Sequence, residues 1–465
     1  MQSVEIWKGK HVLVVGLARS GIAAAQLLVK QGAAVTVNDS KTREALGDAL
    51  IPLEKLPVQW RLGCGAAELL AGQDALVISP GIPDTAPFVM KAKEMGIHVI
   101  GELELAASLS RGTMVAVTGT NGKTTTVTLL GEIFKNAGKR GWTVGNIGYP
   151  YSLAAMEAKD EDYLVCECSS FQMETVETFH PSSAALLNIT EDHLNRHGTM
   201  EEYTRLKMRM FENMTPEDTA VFNLDDPLTA PLAAQVRART AFFSRKREPE
   251  RGTFVRDGMV IARMDGEEER ILPAAEIRIP GPHNLENALA AVAIARAEGV
   301  PIDIIARTLR TFQGVEHRIE FTRELDGVRW YNDSKGTNVD STIRAVQTMD
   351  RPTVIILGGS DKHCDFTPLA LEMKASPFMR EAVLIGVTAN QIEDTLRRCG
   401  WEAIRRASSM EEAVSLCRAV ARPGWNALLS PACASFDMFR DYEDRGRVFK
   451  ALVAALPGPE TGGPA

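Results

Sequence analysis

The residues best suited to chemistry lie in Val115–Thr126, VAVTGTNGKTTT. Gly119 and Gly122 enclose Thr120 and Asn121, and Lys123, Thr124 and Thr125 follow directly. Glycine turns let successive N–H groups point inward around a polyphosphate. The helical stretch after the turn adds the partial positive charge of its N-terminus. Lys123 can reach the β- and γ-phosphates of ATP, and the Thr124 hydroxyl can ligate Mg²⁺. A longer form of this motif would carry glycine at position 117, where Val117 stands, so TGTNGKT is a shortened variant. Glu167 closes a short strand, Tyr163–Glu167, and a carboxylate at such a strand end suits a second Mg²⁺ contact. Lys207 lies in a helical stretch, 200–213, where residue type alone reads as a solvated lysine.

These groups need elements to position them. His11–Val15 reads as a buried strand followed by Gly16, Gly21 and a helix from about residue 22 to 31. Ala34–Asn38 is the next strand, ending at Asp39, which completes a β-α-β unit. The glycine spacing G-x-x-x-x-G is not the G-x-G-x-x-G of a nicotinamide dinucleotide site, while a nucleotide diphosphate over the helix start needs only free N–H groups and one close turn. Arg19, Ser20 and Lys41 could touch phosphate or ribose, or stand as solvated turn residues. The strand 74–79 runs into Pro80-Gly81-Ile82-Pro83, a rigid loop at a strand end where α/β sheets take ligands. Asn146, between glycines in TVGNIG, is a turn residue or an amide facing ligand. Strand 184–189 ends at Thr190-Glu191-Asp192-His193. Asn284 and Asn287 lie near the start of an alanine-rich helix, where Asn284 suits an N-cap. Strands at 328–331, 353–357 and 427–430 each run into a polar or glycine-rich loop before a helix, which again describes a doubly wound sheet.

The chain has 465 residues, 45% hydrophobic and 24% charged, a composition of globular protein and a length for roughly three domains. Net charge is −8, which disfavours a nucleic-acid surface. No run approaches membrane-spanning length, and 1–10 lacks an apolar leader. Seven scattered cysteines, with a lone C-x-C at Cys166 and Cys168, argue against zinc and for reduced thiols in a cytoplasmic protein.

TGTNGKTT, ECSSFQ, ITEDHLNRHG, GPHNLENALAA, EHRIE, NDSKGTN, LGGSDK and SPACASFD occur in this order. Together they resemble the Mur ligases, ATP-dependent amide-forming enzymes of peptidoglycan synthesis, and SSFQ, NDSKGTN and SPACASFDMF are similar to the branch that adds D-glutamate. The resemblance implies an α/β fold of three domains. These are an N-terminal Rossmann-like UDP-binding domain (1–108), a central ATP-binding domain (109–314) and a C-terminal Rossmann-like domain (315–456), with a disordered tail, 457–465. It implies UDP-N-acetylmuramoyl-L-alanine and D-glutamate as substrates, ATP and two Mg²⁺ ions (or Mn²⁺) as cofactors, and a monomer without nucleic-acid or membrane partners. UDP-sugar contacts fall to Arg19, Ser20, Asp39, Ser40, Ser79, Gly81 and Asn146. ATP contacts fall to residues Gly119, Thr120, Asn121, Gly122, Lys123, Thr124 and Thr125, with Asn287, Arg318 and Asp333. Metal ligands are Thr124, Glu167, His193 and Lys207, the last as its carbamate. Lys123, His193, Lys207 and Lys335 serve the reacting centre, and Thr337, Lys362, Ser435, Phe436 and Tyr442 receive D-glutamate. Competing readings are a sister ligase or a folylpolyglutamate synthetase using another amino acid, and, from another class, a nucleotide-operated switch.

Overall fold

Short β-branched runs alternate with helical stretches along the chain, and each run becomes a strand with buried side chains. The structure is a computed structural model and describes residues 6–360 and 364–458. Lys362 and residues 459–465 of the expected tail lie outside the described residues.

The first sheet holds β1 (His11–Val15), β2 (Ala34–Asp39), β3 (Val58–Leu62), β4 (Ala75–Ile78) and β5 (His98–Gly101) in the order β3-β2-β1-β4-β5. All its pairings are parallel. Parallel neighbours need crossovers, and the helices Arg19–Lys30 and Pro87–Glu94 supply two of them. The strand order reverses between β1 and β4, so the Gly16 turn and the Ser79–Gly81 turn flank the crevice where such sheets take ligands.

The second sheet holds β6 (Thr113–Thr118), β7 (Gly141–Gly145), β8 (Tyr163–Glu167), β9 (Ser183–Leu186), β10 (Thr219–Asn223), β11 (Arg239–Ser244), β12 (Gly252–Arg256), β13 (Met259–Arg263) and β14 (Glu268–Pro273). Its order is β14-β13-β12-β11-β10-β9-β6-β8-β7. The strands from β6 to β12 run parallel, and β13 and β14 extend the sheet as an antiparallel meander. β6 sits between β8 and β9, which puts the turn after it beside the ends of both.

The third sheet holds β15 (Glu320–Leu325), β16 (Val328–Asn332), β17 (Thr353–Leu357), β18 (Met379–Leu384), β19 (Ile404–Arg406) and β20 (Asn426–Leu429) in the order β15-β16-β20-β17-β18-β19. Only β15 is antiparallel to its neighbour. β16, β20 and β17 are adjacent, so the loops after them, NDSKGTN, PACASFD and GGS, open at one edge of that sheet.

The chain divides into two compact units, Met1–Arg278 with Asn284–Phe312, and Ile279–His283 with Gln313–Ala465. The first unit contains two sheets, joined through the helix Glu102–Leu109. Glu102 accepts the Ser152 N–H at 2.7 Å, and Glu104 accepts N–H groups of Glu177 and Thr178 at 2.9 and 2.8 Å. Burial pushes the Glu102 carboxyl above the ordinary carboxylate range.

Two expected elements shift. The stretch 200–213 is an α-helix only over Met200–Met208 and tightens into a 3₁₀ turn at Arg209–Phe211. The alanine-rich helix begins at Pro282, so Asn284 lies inside its first turn and is not the N-cap. Proline at the first helical position has no N–H to leave unpaired, and it sets that start.

Candidate active site

Gly119 and Gly122 adopt positive φ, 146° and 87°. A side chain at Gly122 would also collide with Asn287, whose Oδ1 would lie 2.2 Å from the added Cβ. Only glycine fits there, with Asn287 standing against the turn. The Lys123–Asn136 helix starts directly after Gly122. Lys123 Nζ donates to the Gly119 and Thr120 carbonyls, each at 2.8 Å. The turn is braced by Asn188, which sequence reasoning passed over. Its Oδ1 accepts the Asn121 N–H at 2.8 Å and its Nδ2 donates to the Asn121 carbonyl at 3.0 Å. The visible signal was a lone amide closing the otherwise apolar AALLN run.

Lys207 is not a solvated helical lysine. Its side chain is 1% exposed, and Nζ donates to the Gly119 carbonyl at 2.8 Å. It also lies 4.4 Å from the Tyr203 ring. Burial, reinforced by the Lys123 charge, holds its ammonium well below the ordinary lysine value. Glu167 is equally enclosed. Its Oε1 accepts from Asn146 Nδ2 at 2.8 Å, whereas Oε2 has no hydrogen-bond partner among the described residues. Thr125 Oγ1 is buried in the same condition. Buried oxygens of this kind are costly unless something pairs with them, and they suit an oxygen-seeking divalent cation. Thr124 is buried at the helix start. Thus Lys123, Thr124, Lys207, Asn287 and the two turn glycines gather around one turn, and Asn146 joins through Glu167, the residue at the end of the neighbouring β8.

His193 has φ 56° and precedes the short helix Leu194–His197. Its ring lies 4.7 Å from that of Phe171 and its Nε2 is 3.6 Å from Asp192. His197, buried with its ring 5.3 Å from that of Phe171, shares a 2.9 Å hydrogen bond with Ser170 Oγ. Burial outweighs the nearby Glu174 carboxylate and keeps His197 below its ordinary value.

In the first sheet, Gly16 has φ 90° and Ser79 Oγ donates to its carbonyl at 2.9 Å. A Cβ on Gly21 would lie 1.9 Å from the Gly16 carbonyl oxygen. The Asp39 carboxylate accepts N–H groups of Leu17 and Lys41 at 2.8 and 2.9 Å, so it organises the turn itself. Ser20 lies in the first turn of the following helix, and Ser40 is exposed just past β2. Arg19 Nη2 donates to the Gly148 carbonyl at 2.6 Å, in the loop that also carries Asn146. Lys41 is exposed.

In the second unit, Asp333 is buried after β16. Its oxygens accept from Ser430 Oγ at 2.6 Å and the Ile319 N–H at 3.2 Å. Burial pushes its carboxyl up to about 6, with the Arg318 charge opposing. Arg318 Nε is buried without a partner among the described residues. Lys335 Nζ lies 5.5 Å over the Tyr442 ring. Arg445, unanticipated from sequence, is buried and ties two loops together. It donates to Ser334 Oγ at 2.9 Å and to the Cys433 and Ala434 carbonyls at 3.1 and 3.2 Å. Burial draws its guanidinium down to about 10. Ser435 is buried beside these loops, whereas Phe436 is 74% exposed. Thr337 is half-buried. None of the seven cysteines is disulfide-bonded, and among the described residues no helix is long and apolar enough to cross a membrane.

Three family models match in order: the Mur ligase MurD-like N-terminal domain over 10–101, the Mur ligase middle domain over 117–295 and the Mur ligase glutamate ligase domain over 317–433. The chain belongs to the Mur ligase family. It is 46% identical to UDP-N-acetylmuramoylalanine–D-glutamate ligase of Thermoanaerobacter sp. (strain X514), over 97% of this chain and 99% of that protein. Identity to the enzyme of the same name from Pelotomaculum thermopropionicum is 48%, over 96% and 98%. Among solved structures, it resembles the UDP-N-acetylmuramate-alanine ligase MurC of Thermotoga maritima with TM-score 0.59 and 19% identity, covering 96% of this chain and 99% of that one. It also resembles the MurF ligase of the same organism in complex with ADP, with TM-score 0.58 and 18% identity, covering 97% of each. These two are likenesses of fold, and they carry the three-domain architecture.

Proposed function

We propose that this chain joins D-glutamate to UDP-N-acetylmuramoyl-L-alanine at the expense of ATP, a step of peptidoglycan precursor synthesis. The observation that carries the reading is its full-length similarity to D-glutamate ligases. A carboxylate does not condense with an amine at neutral pH without activation. The L-alanine carboxylate oxygen attacks the γ-phosphorus, the bond to the ADP oxygen breaks, and an acyl phosphate forms. The D-glutamate nitrogen then adds to the acyl carbon, loses a proton, and inorganic phosphate leaves with its oxygen.

Lys123 and the N–H groups of the Gly119–Gly122 turn bind the β- and γ-phosphates and offset their charge. Asn287, Arg318 and Asp333 hold the nucleotide, with Lys335 on phosphate. Arg19, Ser20, Asp39, Ser40, Ser79 and Gly81 take the UDP portion and Asn146 the muramoyl-alanine. Thr337, Lys362, Ser435, Phe436 and Tyr442 take D-glutamate. Thr124 and Glu167 would hold one Mg²⁺, and His193 and Lys207 a second; the unpaired Glu167 Oε2 supports this donor set. Bound there, the ions supply charge neutralisation for the crowded anions. Lys207 would serve as its carbamate, since an ammonium cannot ligate a cation, and its depressed basicity leaves more free amine to add to CO₂. Working boundaries of 1–108, 109–314 and 315–456, a monomer and a cytoplasmic location complete the reading.

Phosphate release measured with each amino acid in turn tests it. Turnover should require both the sugar nucleotide and D-glutamate. Equal turnover with L-lysine or diaminopimelate would overturn the D-glutamate assignment. Lys362→Ala should raise the KM for D-glutamate far more than that for ATP.

A further inference from the structure

Arg196 stands in the short helix after His193, and only 14% of its side chain is exposed. Its Nε and Nη2 donate to the two Glu174 oxygens at 2.9 and 2.6 Å, a two-point pair. The same guanidinium donates from Nη1 to the Gly81 carbonyl at 3.2 Å and from Nη2 to the Ile82 carbonyl at 3.1 Å. Its plane lies 4.4 Å from the Phe171 ring centre. Glu174 in turn accepts the Asp84 N–H at 3.3 Å.

One ion pair therefore fastens three pieces of the first unit. They are the turn bearing His193, the segment that follows Glu167 and β8, and the Pro80–Asp84 turn at the end of β4. The task needs a planar fork, because a carboxylate and two carbonyls are served at once, and a single ammonium nitrogen cannot match that geometry. None of these groups need touch a reacting atom.

We propose that the Arg196–Glu174 pair is a positioning device that sets the sugar-nucleotide turn of the first sheet against the His193 turn of the second. It thereby places the substrate carboxylate for attack. This rests on the reaction assigned above. A pair that merely packed would lower stability and leave the two substrates' KM values in their original ratio.

The test uses the full chain carrying Arg196→Ala, Arg196→Lys or Glu174→Gln. A cleft of about 260 Å³ lined by Pro83, Asp84, Glu174, Arg196, His197 and Arg205 adjoins the pair, so a small guanidinium ion can enter the vacated space. Arg196→Ala should raise the KM for UDP-N-acetylmuramoyl-L-alanine about tenfold and lower kcat about 10- to 100-fold, as misplacement by about 1 Å does. The KM for ATP should stay within about twofold, since its turn is untouched. Guanidinium chloride at tens of millimolar should restore part of the lost kcat/KM. Arg196→Lys should remain impaired, and Glu174→Gln should fall in the same direction by less. Calorimetric titration with UDP alone should show weaker binding to Arg196→Ala than to the parent. Equal rises in both KM values, or no rescue together with unchanged UDP binding, would overturn the proposal. If Arg196→Ala fails to fold, the KM ratio and the UDP titration of the other two variants decide. A parent that releases no phosphate would sink the assigned reaction, while the UDP titration would still decide the positioning role.

Discussion

Two strand–glycine turn–helix units in one compact unit treat charge in opposite ways. After β1, the charged groups complete a backbone structure. Asp39 holds the Leu17 and Lys41 N–H groups and Arg19 reaches the Gly148 carbonyl, while Lys41 stays in solvent. After β6, a similar turn has Lys123 folded onto its carbonyls, a buried Lys207 on the Gly119 carbonyl, and Glu167 Oε2 unpaired among the described residues. Leaving one buried polar atom unsatisfied costs about 1–3 kcal/mol. The first turn is a finished hydrogen-bonded cradle that can hold an anion with fixed dipoles. The second keeps groups that a bound anion and cation would satisfy, which suits a place where charge moves. A glycine turn alone does not decide between holding and reacting; the buried charge around it does.

The largest effect should come from Lys123→Ala. Loss of the only turn lysine should lower kcat by at least about 10³-fold, the scale of a removed charge-stabilising donor. The thermal midpoint should stay close to the parent's, because Lys123 stands at a glycine turn and not in the apolar core. Activity within about threefold of the parent would dissolve the contrast between the turns. Lys207→Ala comes next, with a loss of about 10²-fold and partial recovery with added short-chain carboxylic acids, which bring an anionic oxygen to the site. Lys207→Arg should not recover, since guanidinium still fills the space with positive charge. Full activity of Lys207→Ala would refute the carbamate. Asp39→Ala should act on binding. The KM for the sugar nucleotide should rise about tenfold with kcat nearly unchanged, the pattern of a lost ground-state contact. A fall in kcat at constant KM would place the first turn in the chemistry after all.

The sequence was legible where burial is uniform and local. β1, β8 and β17 have the expected bounds because HVLVV, YLVCE and TVIIL are apolar runs between polar or glycine breaks. β3 went unseen because VQWRL is an edge strand of half-exposed residues. The β12–β14 meander went unseen because Arg256, Arg263 and Glu268 pair across strands, and such charge reads as loop from sequence. The site divides the same way. Lys123 announces itself by its neighbours, whereas Lys207 owes its burial to a carbonyl 88 residues away. Asn188, Arg196 and Arg445 likewise act through distant partners; only Asn188 carries a local signal, the lone amide closing an apolar run. For Lys207 residue type alone reads as solvated; the metal role comes only from what the family resemblance implies and stands as a proposal, while the burial is what the structure adds.

The smallest effect is expected at Asp333, and it tests which of the two turns the loop after β16 resembles. Asp333 is 2% exposed and hydrogen-bonded to Ser430 and the Ile319 N–H, yet burial still pushes its carboxyl up to about 6. In the unfolded chain an aspartate titrates near 3.9. The native state therefore binds the extra proton between about pH 4 and pH 6. The stability this group contributes is fully present below its unfolded value and is lost as pH rises through about 6, with an upper limit of about 3 kcal/mol. Asn keeps the shape and one acceptor oxygen but cannot ionise. Relative to the parent, Asp333→Asn should gain thermal midpoint steadily from pH 4 to pH 7 and hold level above that. Its KM for ATP should rise a few-fold at pH 8, where the parent's carboxylate is charged, and less at pH 5.5. Such behaviour would mark Asp333 as a buried charge kept for a ligand, as around the Gly119 turn. A midpoint difference that stays constant from pH 4 to pH 8 would instead place Asp333 with Asp39, as a carboxylate whose work is to hold the backbone.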